Sequence, residues 1–295
     1  MEFDSYMYMR KKYTFDERFF DHIDSEEKAY ILGFLYADGY NDESRGVITL
    51  SLQEADKEIL DKISVVIKNT KPLQLIDMKK YHKGKSHQNQ YRLNLCSRHM
   101  SQLLSKLGCY QNKSCSCKFP SVVSDTLLRH FLRGYFDGDG CVSYTINKQR
   151  RPCGSVSFVG SKYFCHSFSD HLDTLEINST VSYSKKYDKQ IRRLAFGGRN
   201  QLIKFYDYIY KNATIYLARK KNKFDEFIMM SHTHLRENKP TNVYKNTIGS
   251  KLPFRVVKTM NYKSIHLGSF LTQNEAIRVS LKWDEDYGRT VTALN

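Results

Sequence analysis

The sequence predicts an α+β protein of two similar halves packed through one helix each, followed by a small strand-and-helix module. Three observations carry that expectation. A short apolar stretch ending in Asp-Gly occurs twice, as Ile31 to Gly39 (ILGFLYADG) and as Leu132 to Gly140 (LRGYFDGDG). The segments after each copy repeat one order of strand and helix patterns, with basic tips between strands. A polar stretch around Pro240 then sets off a tail with strand and helix patterns of its own.

Each copy places a small residue four positions after a glycine: Gly33 with Ala37, and Gly134 with Gly138. On a helix such pairs share a face, and small residues on one face let two backbones approach closely. Neither run is long enough to span a bilayer, so two helices packed together inside a water-facing protein are expected. Gly39 and Gly140 suit the left-handed residue that closes a helix. Asp38 and Asp139 then stand at helix C-termini, where the dipole disfavours a carboxylate. Close packing brings the two acids together, a second penalty that a cation between them relieves. Hard oxygen ligands that leave room for water and phosphate suit Mg²⁺, or Mn²⁺ in its place. Asp137 aligns with Tyr36, so only Asp38 and Asp139 form a shared acidic pair.

The net charge of +16 over 295 residues predicts an anionic partner, nucleic acid first and an acidic membrane surface second. Binding through many phosphate contacts would be strongly salt-dependent. The aromatic content of 13% is too high for a disordered basic tail. Neither a signal peptide nor a membrane span is visible. Seven cysteines without regular spacing suggest reduced thiols. The expected compartment is cytoplasmic, in a bacterial or phage-infected cell, with an organelle as the other setting.

In chain order, residues 1–24 form a polar and aromatic extension, and residues 25–120 the first half. Asp24 or Ser25 caps the first motif helix. After Gly39 comes a turn rich in Asn, Asp and Gly. Val47 to Leu52 alternates, with Ile48, Leu50 and Leu52 inward, and reads as a half-buried strand. A short strand near Tyr40 would complete the order, although the pattern does not show it. Ala55 to Lys68 has helical spacing; Leu73 to Met78 and Tyr91 to Leu95 read as strands. Between them a basic tip carries Lys79, Lys80, His82, Lys83 and Lys85. Met100 to Leu107 is a short helix. The second half, 121–236, repeats this. Strands at Cys141 to Ile146 and Ser155 to Val159 flank a tip with Lys148, Arg150 and Arg151. A helix covers Tyr163 to Leu175, and strands at Val181 to Tyr183 and Ile191 to Phe196 flank Lys185 and Lys186. Gln201 to Tyr210 is helical. Arg92 to Arg98 lines up with Arg193 to Arg199. One sheet per half, helices on one face and basic residues on the other, makes a saddle whose strands suit the major groove.

The duplicated stretch, with its lead-in Glu27-Lys28-Ala29-Tyr30 and the partner Phe131 to Gly140, resembles the paired motifs of LAGLIDADG homing endonucleases in their single-chain form. The resemblance covers about the first three quarters of the chain. It implies a pseudo-symmetric pair of αββαββα halves and site-specific hydrolysis of both strands of duplex DNA at a long asymmetric target. It also implies a monomer, with divalent metal held by Asp38 and Asp139 and by the backbone carbonyls of Ala37 and Gly138. A lysine assists the active site in that family; Lys113 and Lys220 hold similar places, with Lys118 and Lys221 as neighbours able to take the part, and Gln53 is a weaker candidate for ordering water. The implied DNA contacts are the basic tips with Arg92, Arg98, Arg193 and Arg199. The alternative on the same scaffold is a non-cleaving binder, either a maturase-like RNA-splicing helper or a DNA-binding regulator.

Phe224 to Met230 finishes a helix, Ser231 to Asn242 reads as a polar linker (237–242 at its narrowest), and 243–295 as a module. Phe254 to Lys258 and Ser264 to Phe270 read as strands, and Thr272 with Glu275 has capping-box spacing. His266 to Ala276 resembles the AP2-type DNA-binding domain, a three-stranded sheet backed by a helix, with Phe254 where that family usually has tryptophan. Arg255, Lys258, Lys263 and His266 are its candidate contacts.

Overall fold

The computed structural model describes residues 12–78, 88–147, 152–183, 190–237, 243–246, 249–260 and 263–291. Ser25 caps helix α1 (Glu26–Asp38), its side chain accepting from the Lys28 N–H at 3.3 Å. The helix is apolar on every side, which a helix tolerates only when surrounded, and Ala29 to Tyr36 are all buried. Its neighbour is helix α4 (Asp125–Asp139). A Cβ on Gly33 would lie 2.0 Å from the Phe131 carbonyl oxygen, and one on Gly134 would lie 1.9 Å from that of Tyr30. The small-residue faces therefore meet backbone to backbone, as the spacing predicts.

Strands β1 (Gly39–Asp42), β2 (Val47–Gln53), β3 (Gln74–Ile76) and β4 (Gln90–Cys96) form an antiparallel sheet ordered β1-β2-β4-β3. Strands β5 (Cys141–Ile146), β6 (Pro152–Ser161), β7 (Thr180–Tyr183) and β8 (Ile191–Gly197) repeat that order as β5-β6-β8-β7. Helices α2 (Lys57–Val66) and α3 (Arg98–Lys106) belong to the first half, and α5 (Lys162–Thr174) and α6 (Arg199–Tyr210) to the second. Alternation in β2 falls as expected, with Ile48, Leu50 and Leu52 buried. The opposite face is polar: Thr49 donates to Asn94, Asn94 to Gln74, and Arg92 to Ser51, at 2.9, 3.2 and 3.0 Å. The core of the second half is largely phenylalanine, with Phe136, Phe158, Phe205 and Phe224 in contact.

Three expectations change. Gly39 and Gly140 are not left-handed; their φ values are −75° and −74°, and each leads straight into a strand. Glycine is needed there for room, since a Cβ would lie 2.6 Å from the Leu35 or Phe136 carbonyl oxygen. The turn expected directly after Gly39 begins only at Glu43, because the short strand near Tyr40, β1, comes first, with Asn41 and Asp42 buried. The Asn41 amide donates to the carbonyls of Ser101 and Cys109 at 2.9 and 2.8 Å, so long-range partners hold a turn-forming sequence extended. Finally, helix α7 (Ala218–Glu237) continues through Ser231, because no Gly or Pro interrupts it before Pro240.

The chain divides into two compact units, Met1–Ile228 and Met229–Asn295. The second holds β9 (Val243–Lys245), β10 (Phe254–Met260), β11 (Lys263–Phe270) and α8 (Gln273–Val291), with sheet order β11-β10-β9. Thr272 and Glu275 form the capping box reciprocally, at 3.2 and 3.3 Å. Among the described residues no helix is long and apolar enough to cross a membrane.

Candidate active site

Helices α1 and α4 end side by side, and their last residues are Asp38 and Asp139. A Cβ on Gly138 would lie 2.3 Å from the Ala37 Cβ and 3.2 Å from Asp38 Oδ2. The Asp38 carboxylate thus rests on the last turn of the opposite helix, where only glycine leaves it room. Burial raises the pKa of Asp38, while Lys220, Lys113 and Arg219 pull it back. Asp139 retains an exposed surface, yet its dense surroundings and the Asp38 charge beside it push its carboxyl up to about 6. Burial thus disfavours the charge on both acids, and Asp139 also meets the charge of Asp38, as expected of carboxylates at adjoining helix C-termini.

Lys113 and Lys220 are both buried at this point, 9% and 6% exposed. Lys113 Nζ donates to the Gly39 carbonyl at the end of α1. Lys220 Nζ donates to the carbonyls of Phe136, Gly138 and Gly140 at 2.7, 2.8 and 2.6 Å, closing the end of α4. Two ammonium groups thus satisfy orphan carbonyls where the helix dipoles turn negative. All three Lys220 donors are engaged. Its burial draws the pKa down to about 8, with the nearby Asp137, Asp38 and Asp139 opposing that shift. Lys221 instead pairs with Asp225 at 2.9 Å, and Lys118 has no such contact with either helix end among the described residues.

Asp137 lies two residues inside the end of α4, 1% exposed. It accepts from the hydroxyls of Tyr30 and Tyr210 at 2.8 and 3.0 Å and from the Leu217 N–H at 2.7 Å. Burial pushes its pKa up to about 6 against those donors. It anchors the segment entering α7, which carries Lys220. Arg133, fully buried, does the same from the other side. It donates to the carbonyls of Ile215 and Ile209 at 2.9 and 2.7 Å and to His130 Nδ1 at 2.9 Å, and it pairs with Glu26 at 2.6 Å. Burial beside that guanidinium draws the His130 pKa down to about 4, which keeps the ring neutral and able to accept. Sequence reasoning passed over this network. Its one signal is a charged Arg133 inside an apolar run, where a buried guanidinium requires acceptors.

Among the described residues no group of three or more His, Cys, Asp and Glu side chains forms a metal-binding cluster. The donor set at the helix ends is two carboxylates with backbone carbonyls. It fits a hard divalent cation, because burial first and the Asp38 charge second disfavour an ionised Asp139, and such a cation offsets both. The Gly138 carbonyl already accepts from Lys220, which leaves it one lone pair for a metal.

Of the expected DNA contacts, Arg92 and Arg193 lie in β4 and β8 on the polar face, paired with Ser51 and Val159 in register. Arg98 and Arg199 open helices α3 and α6 instead of extending the strands. Lys79, Lys80, His82, Lys83, Lys85, Lys148, Arg150, Arg151, Lys185 and Lys186 lie outside the described residues. Gln53 ends β2, exposed. In the C-terminal unit Arg255 is exposed beside the Tyr244 ring, at 5.7 Å, and His266 is exposed. Lys263 opens β11. Lys258 is not a surface contact: it is 2% exposed, with its ammonium 5.7 Å from the Trp283 ring.

Residues 126–210 match the family described as the LAGLIDADG-like domain. The fold is the LAGLIDADG endonuclease fold. The homing endonuclease I-WcaI, solved bound to its DNA recognition sequence, is similar at TM-score 0.50 and 12% identity, covering 68% of this chain and 87% of that one. The I-LtrWI LAGLIDADG homing endonuclease, solved bound to target DNA, is similar at TM-score 0.48 and 11% identity, covering 72% and 91%. Comparison with curated protein sequences gives no match.

Proposed function

We propose that the protein is a site-specific double-strand DNA endonuclease in which Asp38 and Asp139 hold Mg²⁺ or Mn²⁺. The observation that carries this reading is the meeting of one acid from each half at the ends of two helices locked backbone to backbone. A bound divalent ion supplies an activated water and neutralises charge at the scissile phosphate. Asp38 and Asp139 bind it, with the Ala37 and Gly138 carbonyls as further ligands. Lys113 and Lys220 hold the helix ends and offset the acids' charge. Lys220 has no spare N–H, so its contribution is electrostatic support.

Duplex DNA as partner is supported by the net charge of +16 and by the fold shared with I-WcaI. The polar faces of the two sheets, with Arg92 and Arg193, are the surfaces assigned to it. One acid per half in a single chain provides for both strands in a monomer. Retention of both acids at unfavourable helix ends favours cleavage over binding alone, to DNA or RNA. The test is incubation of a supercoiled plasmid library bearing a randomised insert. Nicked and linear forms are expected with Mg²⁺ and neither with chelator; intact plasmid in both would contradict the assignment.

The C-terminal unit is proposed to be a tethered DNA reader in the manner of the AP2 domain, through Arg255, Lys263 and His266. Tethering raises its local concentration at a flanking sequence. Truncation after Arg236 is expected to leave cleavage intact, weaken binding and shorten the footprint in a nuclease-protection assay. An unchanged footprint would leave the unit no part in recognition.

A further inference from the structure

Both lysines at the helix ends are buried and committed to backbone carbonyls. An accessible cation beside them is Arg219, in the first turn of α7, with 57% of its side chain exposed. It is not a loose surface arginine. Its Nε donates to both oxygens of Asp56, at 2.8 and 3.1 Å, and Nη2 donates to Oδ2 at 2.9 Å. Among the described residues no hydrogen bond engages its third nitrogen, Nη1. Asp56 is 5% exposed, so the acid is sunk while the guanidinium it grips reaches solvent. Such a forked pair fixes the guanidinium plane. The pair also bridges the halves, since Asp56 belongs to the 3-10 turn Glu54–Asp56 before α2.

The arrangement is one-sided. Asp56 follows β2, whose Leu50 pairs with Gly39, the residue after Asp38, so the fork joins α7 to the half that carries Asp38. In the second half β6 runs directly into α5, with no counterpart of the 3-10 turn. Asn112, exposed and left-handed at φ 59°, precedes Lys113 where Arg219 precedes Lys220.

We propose that Arg219 contacts a backbone phosphate of the DNA strand attacked at the Asp38 side, with Asp56 as its positioning residue, so that the two strands are cut by unequal sites. This rests on the endonuclease reading above. A guanidinium whose orientation is set before binding needs no reorganisation when charge develops at the phosphate.

The probe is an end-labelled duplex chosen by wild-type cleavage from the randomised library, with nicks on each strand followed at early times. Arg219→Gln is expected to slow one strand about tenfold more than the other. Arg219→Lys keeps a charge without the fork and should fall between. Asp56→Asn should slow the same strand, by less. Because Arg219→Gln alone strands a buried carboxylate, the double variant Asp56→Asn/Arg219→Gln guards against misfolding, and it should show the same strand bias. Equal slowing of both strands, with a lower melting temperature, would make the pair a strut between halves and overturn the proposal. An unchanged strand ratio would overturn it too. If the wild-type protein selects no cleaved duplex, the endonuclease reading fails first and takes this inference with it.

Discussion

Asp139→Asn is expected to abolish double-strand cleavage and at the same time to stabilise the metal-free protein at neutral pH. The substitution keeps shape and removes a ligand charge, so the rate should fall by about a thousandfold or more, with DNA affinity largely retained. The gain in stability follows from the folded-state pKa of about 6 against an ordinary 3.8. Between those values the folded chain holds a proton that the unfolded chain has released. The wild type therefore loses stability as pH rises through about 6, and the asparagine variant does not. Above that pH, thermal unfolding in chelator should place Asp139→Asn higher than wild type. Added Mg²⁺ should raise the wild-type melting temperature and leave the variant's almost unchanged. Asp38→Asn should behave alike, because burial raises its pKa as well. A variant that cleaves fully in Mg²⁺ would exclude that acid from the site.

The second large effect is Gly134→Ala. In an exposed helix interior this change would stabilise by about 1 kcal/mol. Here the new methyl meets the Tyr30 carbonyl oxygen at 1.9 Å, and Gly33→Ala meets that of Phe131 at 2.0 Å. Both obstacles are backbone, so no rotamer change relieves them and the helices must part. Overpacking of this kind destabilises by about 3 kcal/mol or more. Urea unfolding should show the loss for either variant, and cleavage should fall with it because Asp38 and Asp139 separate. A neutral or stabilising result would mean that α1 and α4 do not touch at these glycines.

The sequence foretold what depends on local pattern. The alternation of Val47 to Leu52, the glycine spacing of the motif helices and the Thr272–Glu275 cap all appear where expected. Features that depend on distant partners were not visible. Strand β1 looks like a turn because Asn41 is a turn former until Ser101 and Cys109 supply its hydrogen bonds. Lys113 and Lys118, or Lys220 and Lys221, are equivalent in sequence, and only burial against the helix ends separates them. Asp56 and Arg219 lie far apart in the chain, and nothing local marks them as a pair. Arg133 carried a signal in its apolar setting, but its distant acceptors come from α6, the loop after it and Glu26 at the start of α1.

Two converging acids, one per half, are proposed to cut both strands of a specific duplex. Sequencing both cut ends released from a randomised duplex library by the full chain tests it most directly. Paired cuts on opposite strands at one recurring sequence are expected in Mg²⁺, absent with chelator and absent for Asp38→Asn and Asp139→Asn. Recurrent binding without cut ends, or cutting that survives both substitutions, would contradict it.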